Sequence, residues 1–288
     1  MSLGASQTWS ALRDDLFFLL TNRLPRRWAT RGFGWFSQIE QPQVRDLSLA
    51  LWQRWADLRL SEAKKSEFSS LHDCFVRELK PGARPLDPRA SVLVSPCDGI
   101  VGGFGAVDGV ELIQAKGFPY TLHDLLADPA LVERYRDGSY VTLRLTASMY
   151  HRFHAPHGCK VERVTYISGD TWNTHPIALA RVEKLFCKNE RAVVETTLHG
   201  SALPITLVPV AAILVASLRL HCLDRLLHLT HKGPNVFRCQ AEYQKGDEMG
   251  WFQHGSTIIV FAPKGVRVEP ALHTGKVVRM GEPLLHLA

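Results

Sequence analysis

A chain of 288 residues with 45% hydrophobic and 22% charged side chains has the composition of a folded globular protein, not of a disordered or fibrous one. Its six cysteines include no C-x-x-C pair, which speaks against a zinc ribbon or a redox motif and for a reducing compartment. The formal charge of +6 points to anionic partners, either nucleic acid or acidic lipid headgroups. The longest mostly apolar run, 207–218, is interrupted by Pro209 and falls short of the roughly 20 residues that a membrane-spanning helix needs. No signal peptide is expected either, because Asp14 and Asp15 precede a short apolar run that no small-residue cleavage site follows.

The front of the chain has a helical pattern. Residues 9–36 interleave Trp9, Trp28, Trp35 and Phe36 with Arg13, Arg23, Arg26, Arg27 and Arg31, five arginines against Asp14 and Asp15. Broken by Pro25 and Gly32, such a stretch suits short helices lying in a membrane interface, and equally an amphipathic helix packed on its own domain or on a partner subunit. Leu47, Leu51, Trp55 and Leu58 recur at helical spacing and predict a helix over 47–63, and a second is expected over 68–79. The Pro- and Gly-rich stretch 80–88 then breaks the pattern. Beyond Arg89 the texture changes to short β-like runs between turns, among them 92–94, 140–145, 161–167, 192–197, 205–208 and 258–261. The expected fold is α+β, a mainly antiparallel β core with a helical, membrane-facing N-terminal segment, divided into residues 1–80 and 81–288.

Reactive side chains stand in a few suggestive settings. Gly255-Ser256-Thr257 precedes Ile258-Ile259-Val260-Phe261. The serine hydroxyl can reach its own preceding carbonyl, which glycine presents without a Cβ in the way. Attack there turns the amide into an ester, and elimination then cuts the chain and leaves a dehydroalanine that hydrolyses to a pyruvoyl group. The same three residues also suit an ordinary turn entering a strand. Asp98 lies in Ser95-Pro96-Cys97-Asp98-Gly99, where aspartate is a common turn former too. Lys116-Gly117-Phe118-Pro119 leads through Asp124 towards a short helix, a pattern that often marks no more than a loop. Tyr150-His151-Arg152-Phe153-His154-Ala155-Pro156-His157 spaces three histidines three residues apart, but Pro156 and Gly158 oppose the helix that would align them. A metal site usually wants a further ligand and a defined geometry that the sequence does not show, so no metal is expected. Asp98, one of these histidines and Ser256 together could supply a hydroxyl, the imidazole that activates it and a carboxylate that orients the imidazole.

Taken in order, these motifs resemble those of the pyruvoyl-dependent phosphatidylserine decarboxylase proenzyme family. The resemblance runs from Phe75 to Phe261 and rests on Ser95-Pro96-Cys97-Asp98-Gly99, Gln114-Ala115-Lys116-Gly117 with Tyr120-Thr121-Leu122, and Tyr150-His151-Arg152-Phe153-His154-Ala155-Pro156. It continues through Asn189-Glu190-Arg191 and through Lys245-Gly246-Asp247-Glu248-Met249-Gly250 into Gly255-Ser256-Thr257. The resemblance implies self-cleavage between Gly255 and Ser256 by an Asp98-His154-Ser256 triad. The products would be a long chain of residues 1–255 and a short chain of 33 residues that begins with a pyruvoyl group made from Ser256. His151 resembles the family's other histidine, the one that serves decarboxylation itself. The substrate implied is phosphatidylserine in an anionic membrane and the product phosphatidylethanolamine, made in phospholipid biosynthesis by an enzyme held peripherally on the cytoplasmic face of the cell membrane. The two chains would stay together as a heterodimer, a homo-oligomer is compatible with this, and nucleic acid is not an expected partner.

The chain departs from the family pattern at His254, where leucine is common, and at Val208-Pro209-Val210-Ala211-Ala212, where a glycine-containing stretch is usual. The segment 219–240 is unfamiliar. A rival of another class is a non-catalytic carrier or binding module, because Gly275-Lys276-Val277-Val278-Arg279-Met280-Gly281-Glu282-Pro283-Leu284-Leu285 resembles the closing hairpin of biotinyl and lipoyl carrier domains. No modifiable lysine stands at a hairpin tip there.

Overall fold

The computed structural model describes residues 14–16, 18–19, 21, 25–115, 118–214, 217–229, 231–253 and 256–287, with Ser256 described through its backbone. Its front is helical. The helix Arg26–Ser37 starts directly after Pro25, and the helix Pro42–Trp55 has proline in its first turn and the Gln41 side chain accepting from Val44 N at 2.8 Å. Periodicity predicts the second helix over 47–63, yet it stops at Trp55, because Ala56 turns extended and Arg59 takes a left-handed φ of 42°. The face is also reversed. Leu47, Leu51 and Trp55 point to solvent, while Leu49 and Trp52 pack inward on Ala63, Phe68 and Cys74. The helix expected over 68–79 shrinks to Leu71–Phe75, capped by Ser70. The residues beyond Phe75 make long-range contacts instead, since Leu79 bridges to Ala63 and the buried Arg77 guanidinium donates to the carbonyls of Leu58, Cys74 and Ser148.

The β core is antiparallel. Its large sheet runs in the order β12 (Val236–Tyr243), β7 (Cys159–Ile167), β8 (Arg191–Leu198), β9 (Pro204–Ala211), β14 (Ser256–Ala262), β5 (Ser139–Arg144), β2 (Gly99–Ala106) and β16 (Val277–Val278). A second sheet has the order β11 (Leu226–His228), β10 (Ser217–Leu220), β13 (Glu248–Phe252) and β6 (Arg152–His154). Smaller sheets join β1 (Val92–Val94), β17 (Pro283–His286) and β15 (Arg267–Val268), and β3 (Glu111–Ala115) with β4 (Phe118–Thr121). The segment 219–240 thus contributes strands to both larger sheets.

Both faces of the large sheet are covered around β14. Ile258, Val260 and Ala262 enter one core with Leu143, Phe153 and Phe252, while Ile259 and Phe261 enter another with Val208, Val210 and Tyr135. A strand buried on both sides reads as a continuous apolar run, which is what 258–261 shows. The front helices are fastened to this body by Arg26, which pairs with Asp170 at 2.5 Å and stacks over Trp172 at 3.8 Å, and by Thr30, whose hydroxyl accepts from Leu214 N. No helix among the described residues is long and apolar enough to cross a membrane.

Candidate active site

The turn Ser95-Pro96-Cys97-Asp98-Gly99 joins β1 to β2 and is held by Ser95 Oγ donating to Cys97 O at 2.7 Å. Within it the Asp98 carboxylate takes the fork of Arg84, Nε at 2.8 Å and Nη2 at 2.5 Å, and the Met280 N–H at 2.9 Å. Arg84 also reaches Glu62 at 2.9 Å, so one nearly buried cation ties two carboxylates together.

His154 ends β6, and its own N–H donates to Pro96 O at 2.7 Å, which fastens the histidine strand to the Asp98 turn. The ring lies between the Gly246 carbonyl, 2.8 Å from Nδ1, and the Tyr150 hydroxyl, 2.9 Å from Nε2. A carbonyl only accepts, so Nδ1 carries the proton and Nε2 presents its lone pair to the Tyr150 O–H. Burial holds the pKa of His154 below the ordinary imidazole value, against the opposing pull of the Gly246 carbonyl and of carboxylates that include Asp98. The ring is therefore neutral at pH 7, with its basic nitrogen in place. Burial likewise pushes the Tyr150 phenol up, which keeps it a donor. The turn that carries Gly246 needs glycine, since φ is +87° and a Cβ would lie 2.4 Å from Leu86 Cδ1. Asp98 thus acts on His154 through space and through Pro96, while Gly246 fixes the tautomer. A cleft of about 230 Å³ lined by Arg84, Tyr150, His154 and Glu248 adjoins a second one that Asp98, Arg84 and Tyr150 share.

His151 lies on a different contact. It is fully buried, its ring centroid is 3.9 Å from that of Phe75, and its carbonyl accepts from Phe252 N. Arg152, between the two histidines, pairs with Glu248 at 2.8 Å and donates to Val76 O. His157 bonds Ala90 O, away from the other two, and the described residues contain no cluster of His, Cys, Asp and Glu suited to a metal ion.

Gly255 and His254 lie outside the described residues, as do Lys116 and Gly117. The Ser256 backbone opens β14 opposite Ala211 of β9, and Thr257 stands between Val210 and Arg144 of β5. Asn189-Glu190-Arg191 braces this junction. Asn189 Nδ2 donates to Ala211 O at 2.8 Å, Ala211 N donates to Glu190 O, and the Arg191 guanidinium binds the carbonyls of Asp124, Leu125, Cys187 and Asn189. Burial pushes the Glu190 carboxyl up to about 7. Beside the start of β14 opens a largely apolar cavity of about 460 Å³ between the front helices and the sheet. Phe33, Trp52, Phe75, Arg144, His175 and Leu214 are among the residues that line it.

Sequence patterns single out Asp98, His151 and His154 but miss Arg84 and Arg144, and they give Gly246 no role of its own. The only local signal for any of these was the glycine in Lys245-Gly246-Asp247.

A family model described as phosphatidylserine decarboxylase matches residues 71–286. A phosphatidylserine decarboxylase proenzyme of Saccharophagus degradans is 33% identical over 285 residues, covering 96% of this chain and 99% of its own. Proenzymes of the same name from an Anaeromyxobacter species, 35% identical over 95% of this chain and 99% of theirs, and from Haemophilus influenzae, 33% identical over 99% of each, agree. The carrier-module reading is not favoured by these matches, and β16, which it invoked, is instead an edge strand paired with β2. By these matches the chain belongs to the phosphatidylserine decarboxylase family.

Proposed function

We propose that the chain is a proenzyme that cuts itself between Gly255 and Ser256 and then decarboxylates phosphatidylserine to phosphatidylethanolamine, with Ser256 supplying the pyruvoyl group. The observation that carries this reading is the state of His154, neutral, tautomerically fixed by Gly246 and fastened to the Asp98 turn. In the first step His154 Nε2, released from the Tyr150 hydroxyl, takes the Ser256 hydroxyl proton, Oγ attacks the Gly255 carbonyl carbon, and the C–N bond breaks as the amine leaves with a proton. Loss of the Ser256 Cα proton then breaks the Cβ–Oγ bond. Gly255 leaves as a carboxylate, and water releases ammonia from the dehydrated residue.

The surroundings of β14 fit a pyruvoyl group at its head. Thr257 Oγ1 is fully buried with no hydrogen-bond partner among the described residues, one position beyond Ser256, and a cavity lies alongside. Bound there, the group supplies an electron sink for the pair left as carbon dioxide departs. His151 serves that later step, a role supported by its contact with Phe75, which lines the cavity. After the cut the two chains remain a heterodimer, because β14 lies between β5 and β9.

The enzyme sits peripherally on an anionic membrane, at the cytoplasmic face. Support comes from the outward sides of the front helices, where Trp28 and Trp35 are each 72% exposed and Trp55 is 84% exposed, beside Leu47 and Leu51. One side of this segment packs on the domain through Arg26 and Thr30 while the other stays uncovered. Intact-mass measurement of the purified protein tests the proposal. It should give a 33-residue fragment without a free amino terminus, together with carbon dioxide release from phosphatidylserine. A single uncut chain with full activity overturns it.

A further inference from the structure

Arginines inside this protein are generally well occupied. Arg77 and Arg191 are wrapped by backbone carbonyls, and Arg84 by two carboxylates. Arg144 differs. At the end of β5 it lines the 460 Å³ cavity, half-buried, and among the described residues no carboxylate or hydrogen-bonding group meets its guanidinium. The other titratable side chain on the cavity wall is His175, whose imidazole burial and the Arg144 charge push below its ordinary value, against the Asp14 carboxylate. A cation set in apolar walls interacts more strongly than one in water, and its planar fork suits an oxyanion.

Its position decides which oxyanion. Arg144 is the cross-strand partner of Thr257, so its Cα lies about 5 Å from the residue after Ser256. A serine headgroup whose amine meets the head of β14 carries two anionic groups. Its carboxylate is the group that must leave. An ion pair there would stabilise the ground state more than the transition state, in which that charge is dispersing, and would slow the reaction. The phosphodiester keeps its charge throughout and lies only a few bonds further from the amine. Beyond it, Phe33, Trp52 and Leu214 offer an apolar wall, and the exposed Trp28 and Trp35 lie on the helix that closes the cavity.

We propose that Arg144 is the phosphodiester-binding residue for the lipid substrate and that the cavity receives its glycerol and upper acyl portion. The assignment rests on the decarboxylase reading. The test uses the self-cleaved protein carrying Arg144→Gln or Arg144→Lys and two substrates, dihexanoyl phosphatidylserine and O-hexylserine, which lacks the phosphate. Loss of a charged hydrogen-bond pair should lower kcat/KM for Arg144→Gln roughly 10- to 100-fold more with the phospholipid than with the ether, chiefly through KM, with Arg144→Lys between. Equal losses with both substrates, or none with the phospholipid, overturn the assignment.

A second arm measures dihexanoyl phosphatidylserine binding to uncut Ser256→Ala protein with and without Arg144→Gln, and reads the site even if the wild type releases no carbon dioxide. In that case the decarboxylase reading fails alone. Binding there should weaken in the double variant and resist competition by inorganic phosphate. Unchanged binding, or equal displacement by inorganic phosphate, overturns the lipid assignment.

Discussion

The Asp98 carboxylate is expected to hold the site together before it takes part in any chemistry, and Asp98→Asn in a Ser256→Ala background isolates that role. Neither chain is cut there, so stability is read apart from cleavage. The Arg84 and Asp98 side chains are 6% and 10% exposed, the pair is bidentate, and the Met280 N–H adds a third bond. Removing one partner of a buried ion pair costs about 3–5 kcal/mol because the other charge is stranded. Here Glu62 still meets Arg84 at 2.9 Å, and an asparagine oxygen still accepts from Met280, so the expected loss is about 2–3 kcal/mol. Urea unfolding followed by tryptophan fluorescence and far-ultraviolet circular dichroism measures it, with the slope unchanged and the midpoint lowered. A change below about 0.5 kcal/mol, the range of an ordinary surface substitution, would show that the pair is not an anchor. Slowed self-cleavage in Asp98→Asn would then belong wholly to its effect on His154.

His154→Ala should stay uncut, whereas His151→Ala should mature and release carbon dioxide from phosphatidylserine slowly or not at all; gels and gas release on the same samples decide, and the opposite pattern reverses the roles. Because burial holds the His154 pKa below 6.5, its neutral form dominates at neutrality, so the self-cleavage rate should be level above neutrality and fall only as acid protonates the ring. A rate still climbing in alkali would assign the base to another group. Replacing Trp28, Trp35 and Trp55 by serine should weaken sedimentation with anionic vesicles severalfold without changing self-cleavage. Unchanged sedimentation would return this surface to a packing role.

Strand β14 was legible because burial on both faces leaves only one kind of sequence, and 258–261 has it. The helical front was legible as helix but not as a surface. Leu47, Leu51 and Trp55 keep helical spacing whether they meet a core or water, and only the packing of Leu49 and Trp52 on Phe68 and its neighbours shows which. Strand β6 was hidden behind Pro156 and Gly158, since a three-residue strand gives no period of its own and exists through its pairing with β13. The candidate residues Asp98, His151 and His154 stood out by type. Their partners did not, because Arg84 lies in a stretch that reads only as a breaker and Gly246 meets His154 from 92 residues away. Local pattern carries no record of such meetings.

The placing of β14 also sets the order of events in the life of the molecule. Everything after residue 255 is threaded through what comes before it. β14 runs between β9 and β5, β16 closes the edge beside β2, and β17 pairs with β1. A free 33-residue piece would have to insert between two strands already able to find each other, and would do so at a rate set by concentration instead of by a tether. On the proposed scission, the uncut chain carries the folding information, and the cut comes after the sheet has closed. Once made, such a cut would be a one-way step. A mature protein so made would keep its shape as an inheritance from a precursor that no longer exists, and its two chains, pulled apart, would lack the connection that first assembled them.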